Sequence, residues 1–376
     1  MAGIYIHIPF CRHKCNYCNF YSLASTRNMY QVSHAIISEL QQRKDYLASQ
    51  KVETIYFGGG TPSLLETSDI EGILNAVYKN FIVSKDVEIT LEANPDDLTP
   101  EKLIALKNAG VNRLSIGIQS FRQEDLDFLS RTHSSSQVNQ CITDAQQAGF
   151  QNLSIDLIYG IPTLTDEGWE QNLQKAFSFG IPHISAYSLT VEAKTPLEVM
   201  IRKGKMKPVD ENLSLTHYHT LSRLMRQNGY EHYEVSNFCL PGAYSRHNTA
   251  YWQGKHYLGL GPSAHSYNGI SRSWNVSNLS KYIETAASGQ VESEQEILSQ
   301  VTQLNEYIMT SLRTMWGCDL TVVGEKFGAG IAQKLLENAR RFIEKEQIIY
   351  RDGKLILTPE GQLFADGISA ELFTEE

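Results

Sequence analysis

Short apolar runs recur along the first half of the chain, each followed by a longer stretch with apolar positions at helical spacing. The runs near 3–8, 52–57, 86–92, 112–118, 152–157 and 182–189 read as strands. The stretches 27–49, 68–80, 100–109, 136–148 and 167–179 read as helices. Repeated βα units of this size predict a parallel sheet covered by helices, and six units fit a partial (β/α)6 barrel. A polar residue ends each of three strands: Glu92 after Glu88-Ile-Thr-Leu, Gln119 after Leu114-Ser-Ile-Gly-Ile, and Asp156 after Leu153-Ser-Ile. One such residue alone would be a helix cap or a solvated loop side chain. Three at successive strand ends predict a shared site on the face where α/β barrels place their chemistry.

The second half is less periodic. An amphipathic stretch covers 211–228, and 232–238 alternates well enough for one strand. Helical patterns over 303–315 and 331–345 precede a hairpin at Asp352-Gly353. The expected division is a barrel over 1–230, a flanking region over 231–295, and a small α+β, winged-helix-like C-terminal domain over 296–376.

Chemistry enters with Cys11, Cys15 and Cys18 in PFCRHKCNYCNFYS, directly after the first strand. Three thiolates on one loop are one ligand short of a closed tetrahedral zinc or four-cysteine site. A 4Fe–4S cluster held this way keeps one iron open for an external ligand. The competing reading is a zinc knuckle with His13 or His7 as fourth ligand, but no second CxxC or HxxxH half follows. One βα unit later stands Gly58-Gly59-Gly60-Thr61-Pro62, where missing Cβ atoms let backbone approach a ligand. It lacks the Gly-Lys-Ser/Thr ending of a P-loop.

The cysteine loop and the glycine run together resemble the radical S-adenosylmethionine (SAM) superfamily. Over nearly its whole length the chain is similar to the coproporphyrinogen-dehydrogenase-like branch, through Tyr5, the Gly59-Gly60-Thr61 turn, LEANP, SIGIQSF, LSRTH and SIDLIYGIP. The resemblance implies a 4Fe–4S cluster on Cys11, Cys15 and Cys18. It implies SAM held by Tyr5, Tyr17, Gly59, Gly60, Thr61, Glu92, Gln119, Arg131 and Asp156, with Thr190 and the 259–264 loop through Ala264 completing the adenosine pocket. Carboxylates suit ribose hydroxyls, and a fixed guanidinium suits the methionine carboxylate.

Two departures separate the chain from the dehydrogenase of that branch. Phe20 stands where the dehydrogenase has a further cysteine, and the chain begins on its first strand without the dehydrogenase's N-terminal extension. His247-Asn248-Thr249-Ala250-Tyr251-Trp252 fits the HNxxYW motif that the branch's heme chaperones carry. A neutral imidazole is a good axial iron ligand. The bland alternative is that His247 and Asn248 make local hydrogen bonds while Tyr251 and Trp252 pack in a core. The expected function is a heme chaperone that binds heme and passes it to apo-hemoproteins. The alternative is an enzyme, oxygen-independent coproporphyrinogen III dehydrogenase.

Composition narrows the partners. The 376 residues suffice for a large core, and a net charge of −9 argues against a nucleic-acid binder. No stretch reaches membrane-span length, and MAGIYIHIPF has no charged n-region. Six cysteines, three of them clustered, fit a reducing cytoplasm rather than a disulfide scaffold. A peripheral membrane association and a homodimer are both compatible with the chain.

Overall fold

A computed structural model describes residues 2–375. Twelve strands form one sheet: β1 (Ala2–Ile8), β2 (Val52–Gly59), β3 (Val83–Ala93), β4 (Arg113–Gln119), β5 (Asn152–Tyr159), β6 (His183–Ser188), β7 (Glu231–Glu234), β8 (Asn237–Cys239), β9 (His256–Leu260), β10 (His265–Tyr267), β11 (Ser271–Asn275) and β12 (Ser293–Ile297). Their spatial order is β12-β11-β10-β9-β1-β2-β3-β4-β5-β6-β8-β7. The strands from β9 through β6 in that order are parallel, with antiparallel strands added at both edges. The six expected βα strands are β1 to β6, and the partial α/β barrel expected from them is the architecture observed.

Strand alternation separates two environments. Ile6, Phe57, Leu91, Leu114 and Leu153 are register partners across five strands and fully buried. They belong to the apolar core beneath the helices. One residue on, Glu92, Ser115, Ser154 and His183 are also register partners, and Asp156 pairs with Ser185. Glu92, Ser115, Asp156, His183 and Ser185 of this second row line a central cavity, so the barrel interior is polar where a closed eight-stranded barrel would be packed with apolar side chains.

The structure corrects the sequence reading in three places. First, the region expected over 231–295 to flank the barrel contributes strands to its sheet: β9 is a seventh parallel strand beside β1, and β7, β8 and β10 to β12 extend the same sheet. His256–Leu260 has only five residues, too short for a periodic signal. Second, the strand expected over 232–238 is a hairpin of β7 and β8, because Glu234 turns inward and accepts hydrogen bonds from the Ser236 amide and the Asn237 side chain. Third, the helix expected over 27–49 is Met29–Gln42, and Ala48 (φ 45°) and Ser49 (φ 63°) lie in the left-handed region that a helix cannot use.

A short helix, Arg246–Trp252, is capped by Ser245, whose hydroxyl accepts from the Asn248 amide. It packs on β1 and β2 and closes the amino-terminal end of the barrel. Beyond β12 a second core gathers helices Gln300–Leu312, Leu320–Phe327 and Ala329–Glu344. A three-stranded sheet of β13 (Cys318–Asp319), β14 (Ile348–Arg351) and β15 (Lys354–Leu357), in the order β13-β15-β14, completes this winged-helix-like unit.

Candidate functional site

The loop after β1 carries the three cysteines, all free and part-buried. The Thr61 hydroxyl donates to Cys11 Sγ at 3.5 Å, and an Arg131 guanidinium nitrogen donates to Cys15 Sγ at 3.2 Å. Burial pushes the Cys11 and Cys18 thiols up, and the neighbouring thiols add to it; Thr61 and Arg131 act in the opposite direction on Cys11. Among the described residues, no three His, Cys, Asp or Glu side chains converge as a ready metal-ligand set. A donor set of three soft thiols with a guanidinium against one sulfur fits an iron–sulfur cluster better than a hard cation.

The glycine run is tied to that loop by backbone. Gly60 N donates to Ile8 O at 2.8 Å, and Thr61 N to Phe10 O at 2.7 Å. A Cβ on Gly60 would stand 2.5 Å from Phe10 O, so only glycine fits there. Gly59, at φ 110°, turns its amide onto Glu92 Oε2 at 3.1 Å. The cysteine loop and the ends of β2 and β3 thus form one interlocked rim.

Glu92 and Asp156 face the central cavity, a space of about 220 Å³ lined also by Tyr5, Arg113, His183 and His247. Burial, reinforced by the nearby Asp156 charge, pushes the Glu92 carboxyl up to about 7, against the pull of the Tyr56 hydroxyl (2.7 Å) and the Gly59 amide. Burial likewise raises Asp156 to about 6. Two carboxyls that titrate near neutrality in a polar cavity can accept hydroxyl or ammonium donors of a ligand.

Gln119 is buried at the end of β4 with φ 68°, where the register with β5 slips. Its amide nitrogen would lie 2.9 Å from a Cβ on Gly117, and Arg131 would be 3.6 Å from the same point. Arg131 also donates to Asn94 Oδ1 (2.6 Å) and Gly117 O (2.8 Å). Three fixed hydrogen bonds hold that guanidinium over the rim. Tyr17 is half-buried, and burial raises its hydroxyl pKa. Ala264 is buried in the loop between β9 and β10, where its carbonyl accepts from Asn275 N at 2.9 Å. Thr190 is exposed beyond β6 and does not line the cavity.

His247 lies at the opposite end. It is 2 % exposed, with Nδ1 paired to Thr54 Oγ1 at 2.7 Å and Nε2 to Tyr251 OH at 3.0 Å. Its backbone amide donates to Glu88 Oε1 at 3.1 Å, and its ring stacks on Tyr56 with centroids 5.0 Å apart. Burial drives its pKa down to about 3, so the imidazole is neutral. This is the bland arrangement weighed from sequence: local hydrogen bonds for the histidine and packing for Tyr251.

Sequence reasoning missed Arg113 and Asn94. Arg113 is 1 % exposed at the cavity wall with Nε unpartnered, and Asn94 bridges Arg131 and Thr61. Arg113 opens its strand, a place where a charged residue reads as solvated; Asn94 sits in LEANP, beside the Glu92 that drew attention.

A family model described as the radical SAM superfamily matches residues 5–176, and one described as the HemN C-terminal domain matches 298–364. The chain is 33% identical to the heme chaperone HemW of Mycobacterium tuberculosis, covering 97% of this chain and 93% of that one. It is 32% identical to the heme chaperone HemW of Bacillus subtilis, covering 98% of each. Among solved structures it resembles the radical SAM enzyme coproporphyrinogen III oxidase (HemN) of Escherichia coli, with a TM-score of 0.85 and 21% identity over 99% of this chain and 90% of that one. At that identity the likeness shows the fold alone. The superfamily implies a 4Fe–4S cluster and SAM, and the thiol loop and cavity described above fit both. With near-complete coverage at about one-third identity and both family models in place, this chain belongs to the HemW family of radical SAM proteins.

Proposed function

We propose that this chain is a heme chaperone that binds heme and passes it to apo-hemoproteins, carrying a 4Fe–4S cluster on Cys11, Cys15 and Cys18 with SAM beside it. The observation that carries the reading is the likeness to HemW relatives across nearly all of both chains. The rim geometry supports the cofactor part. Arg131, fixed by Asn94 and Gly117, suits the methionine carboxylate, and Glu92 and Asp156 suit the amino group and ribose hydroxyls. When bound, cluster and SAM together supply one-electron chemistry. The protein's own part is to hold the sulfurs, present Glu92 and Asp156, and keep the cavity small. Free cysteines throughout are consistent with a reducing cytoplasm, and no helix among the described residues is long and apolar enough to cross a membrane.

The test uses anaerobically reconstituted protein. It should take up hemin and deliver it to an apo-hemoprotein, read from the acceptor's own absorbance. Incubation with coproporphyrinogen III, SAM and a reductant should yield no protoporphyrinogen. Stoichiometric protoporphyrinogen would overturn the reading in favour of the dehydrogenase, whose missing cysteine position is held here by the 67 % exposed Phe20.

A further inference from the structure

Helix Arg246–Trp252 closes the floor of the barrel, so a partner of the cysteine loop has to come from the rim side. Charge is distributed unevenly there. The chain carries 42 acidic against 33 basic residues, yet residues 1–38 contain no Asp or Glu and hold Arg12, Lys14 and Arg27. A second basic stretch runs from Lys194 to Lys207, where Lys194, Arg202, Lys203, Lys205 and Lys207 are accompanied by Glu198 alone.

The fold puts the two stretches together. Leu197 N, in helix Pro196–Arg202, donates to Asn16 O at 2.9 Å, and the Asn16 side-chain amide reaches Met206 Sδ at 4.0 Å. Asn16 stands between Cys15 and Tyr17 and is buried, so the second stretch is fastened to the cysteine loop itself. Arg12 pairs with Asp97 at 2.9 Å, and Arg202 with Glu198 at 3.3 Å. Arg27, Lys194, Lys203, Lys205 and Lys207 are exposed and, among the described residues, have no ion-pair partner. Exposed acids beside these segments, Glu192, Asp127 and Asp210, leave the balance positive. Phe20, two residues past Cys18, is exposed as well, and Lys14 donates to its carbonyl at 3.4 Å. An exposed aromatic beside unpaired cations suits a brief, electrostatically steered contact rather than a permanent interface.

The occupant follows from what the loop carries. A cluster on the three cysteines does one-electron chemistry after it receives an electron from outside, and electrons cross proteins over short distances. A donor protein therefore has to dock against the cysteine loop, and the charge there selects a donor with an acidic face. A second copy of this chain meeting the first through the same face would set these cations against each other, which repulsion opposes.

We propose that Lys194, Lys203, Lys205 and Lys207, beside the cysteine loop, form the docking surface for a small acidic electron-carrier protein that passes one electron to the cluster. The carrier's cofactor loses the electron that the cluster gains, and no covalent bond forms or breaks. The proposal rests on the cofactor part of the reading above. The experiment follows cluster absorbance in the anaerobically reconstituted full chain after mixing with a reduced, acidic flavin-mononucleotide carrier protein, and separately with dithionite. A variant combining Lys203→Glu, Lys205→Glu and Lys207→Glu should be reduced by the carrier about tenfold more slowly at low salt. The wild-type rate should fall as salt rises. Dithionite should reduce variant and wild type at similar rates, and Lys345→Glu, on the C-terminal unit, should behave as wild type with both reductants. Carrier reduction of the triple variant at the wild-type rate overturns the proposal. So does equal slowing with dithionite, which would make the lysines supports of the loop. Salt-sensitive binding to phosphatidylglycerol vesicles together with salt-independent carrier reduction overturns it in favour of a membrane. A wild type that holds no cluster iron refutes the cofactor reading itself, whereas a loaded wild type that the carrier fails to reduce refutes the docking surface alone.

Discussion

The two ends of the barrel are built on opposite terms. At the cysteine-loop end, non-glycine backbone is held in costly conformations, Gln119 at φ 68° and Ser263 at φ 64°. Sulfurs there sit beside Thr61 and Arg131, and two carboxyls are kept near neutrality by burial. At the floor, His247 is fully satisfied by Thr54, Tyr251 and Glu88. Chemistry needs groups with capacity left over, and the thiols and carboxyls of the first end have it where His247 does not. The difference teaches that a motif match ranks a residue for attention, whereas free valence in the fold decides whether it can act.

The sharpest way to break this contrast is to remove the thiols. A Cys11→Ala, Cys15→Ala, Cys18→Ala variant should lose all cluster iron and sulfide after anaerobic reconstitution while its melting temperature stays close to that of the cluster-free wild type. All three side chains are part-buried on a loop, so little core packing goes with them. Iron retained at the wild-type level would remove the rim from cluster binding.

Much of that rim was legible in the chain because its signals are local. Three cysteines within eight positions and three consecutive glycines need no tertiary context to be noticed, and β1 to β6 announce themselves by apolar runs. The floor was not legible. His247 meets Thr54 and Glu88 across 193 and 159 positions, and no spacing rule reaches that far. The strands β9 to β12 were hidden for a different reason. They are three to five residues long, and a period of two cannot be established over so short a span.

The next test strikes the floor. His247→Ala removes a buried, stacked imidazole and leaves two hydroxyls without partners, which should cost about 3 kcal/mol in chemical denaturation. Cluster content should stay intact. Acid gives a second handle with a definite sign. His247 titrates near 3 in the folded chain, far below an unfolded histidine, so its contribution is present above about pH 6.5 and fades as pH falls. Wild type should therefore lose about 2 kcal/mol from this residue between pH 6.5 and 5, and His247→Gln should flatten that slope. An unchanged slope would mean that the floor opens before it titrates.

The rim should respond to pH in the opposite sense. Glu92 is raised from 4.5 to about 7, so its contribution to stability is complete below 4.5 and is lost as pH rises through 7. At pH 8 the folded chain carries a buried carboxylate that the unfolded chain would solvate freely. Glu92→Gln should accordingly stabilise the SAM-free protein by about 2 kcal/mol at pH 8 and have no such effect at pH 4.5. The same variant should weaken SAM binding. Gain of stability with loss of affinity is the mark of a group kept for a ligand, and a variant that is destabilised at pH 8 would place Glu92 among the structural residues instead.

The smallest expected effect concerns how the floor helix is tied to the C-terminal unit. Arg313, just past helix Gln300–Leu312, places its guanidinium over the Trp252 ring at 5.4 Å, and the same side chain pairs with Asp366. Neither Trp252 Nε1 nor Arg313 Nε has a hydrogen-bond partner, so the ring face is the main attraction between the two. A part-buried cation–π pair contributes ~0.5–1 kcal/mol. A double-mutant cycle of Trp252→Leu and Arg313→Met, read by denaturant melts, should give a coupling energy in that range. Coupling near zero would mean that the last two residues of the HNxxYW motif serve the floor alone. A value within the range would make Trp252 the joint between barrel and C-terminal unit, which accounts for an indole at that position without any cargo.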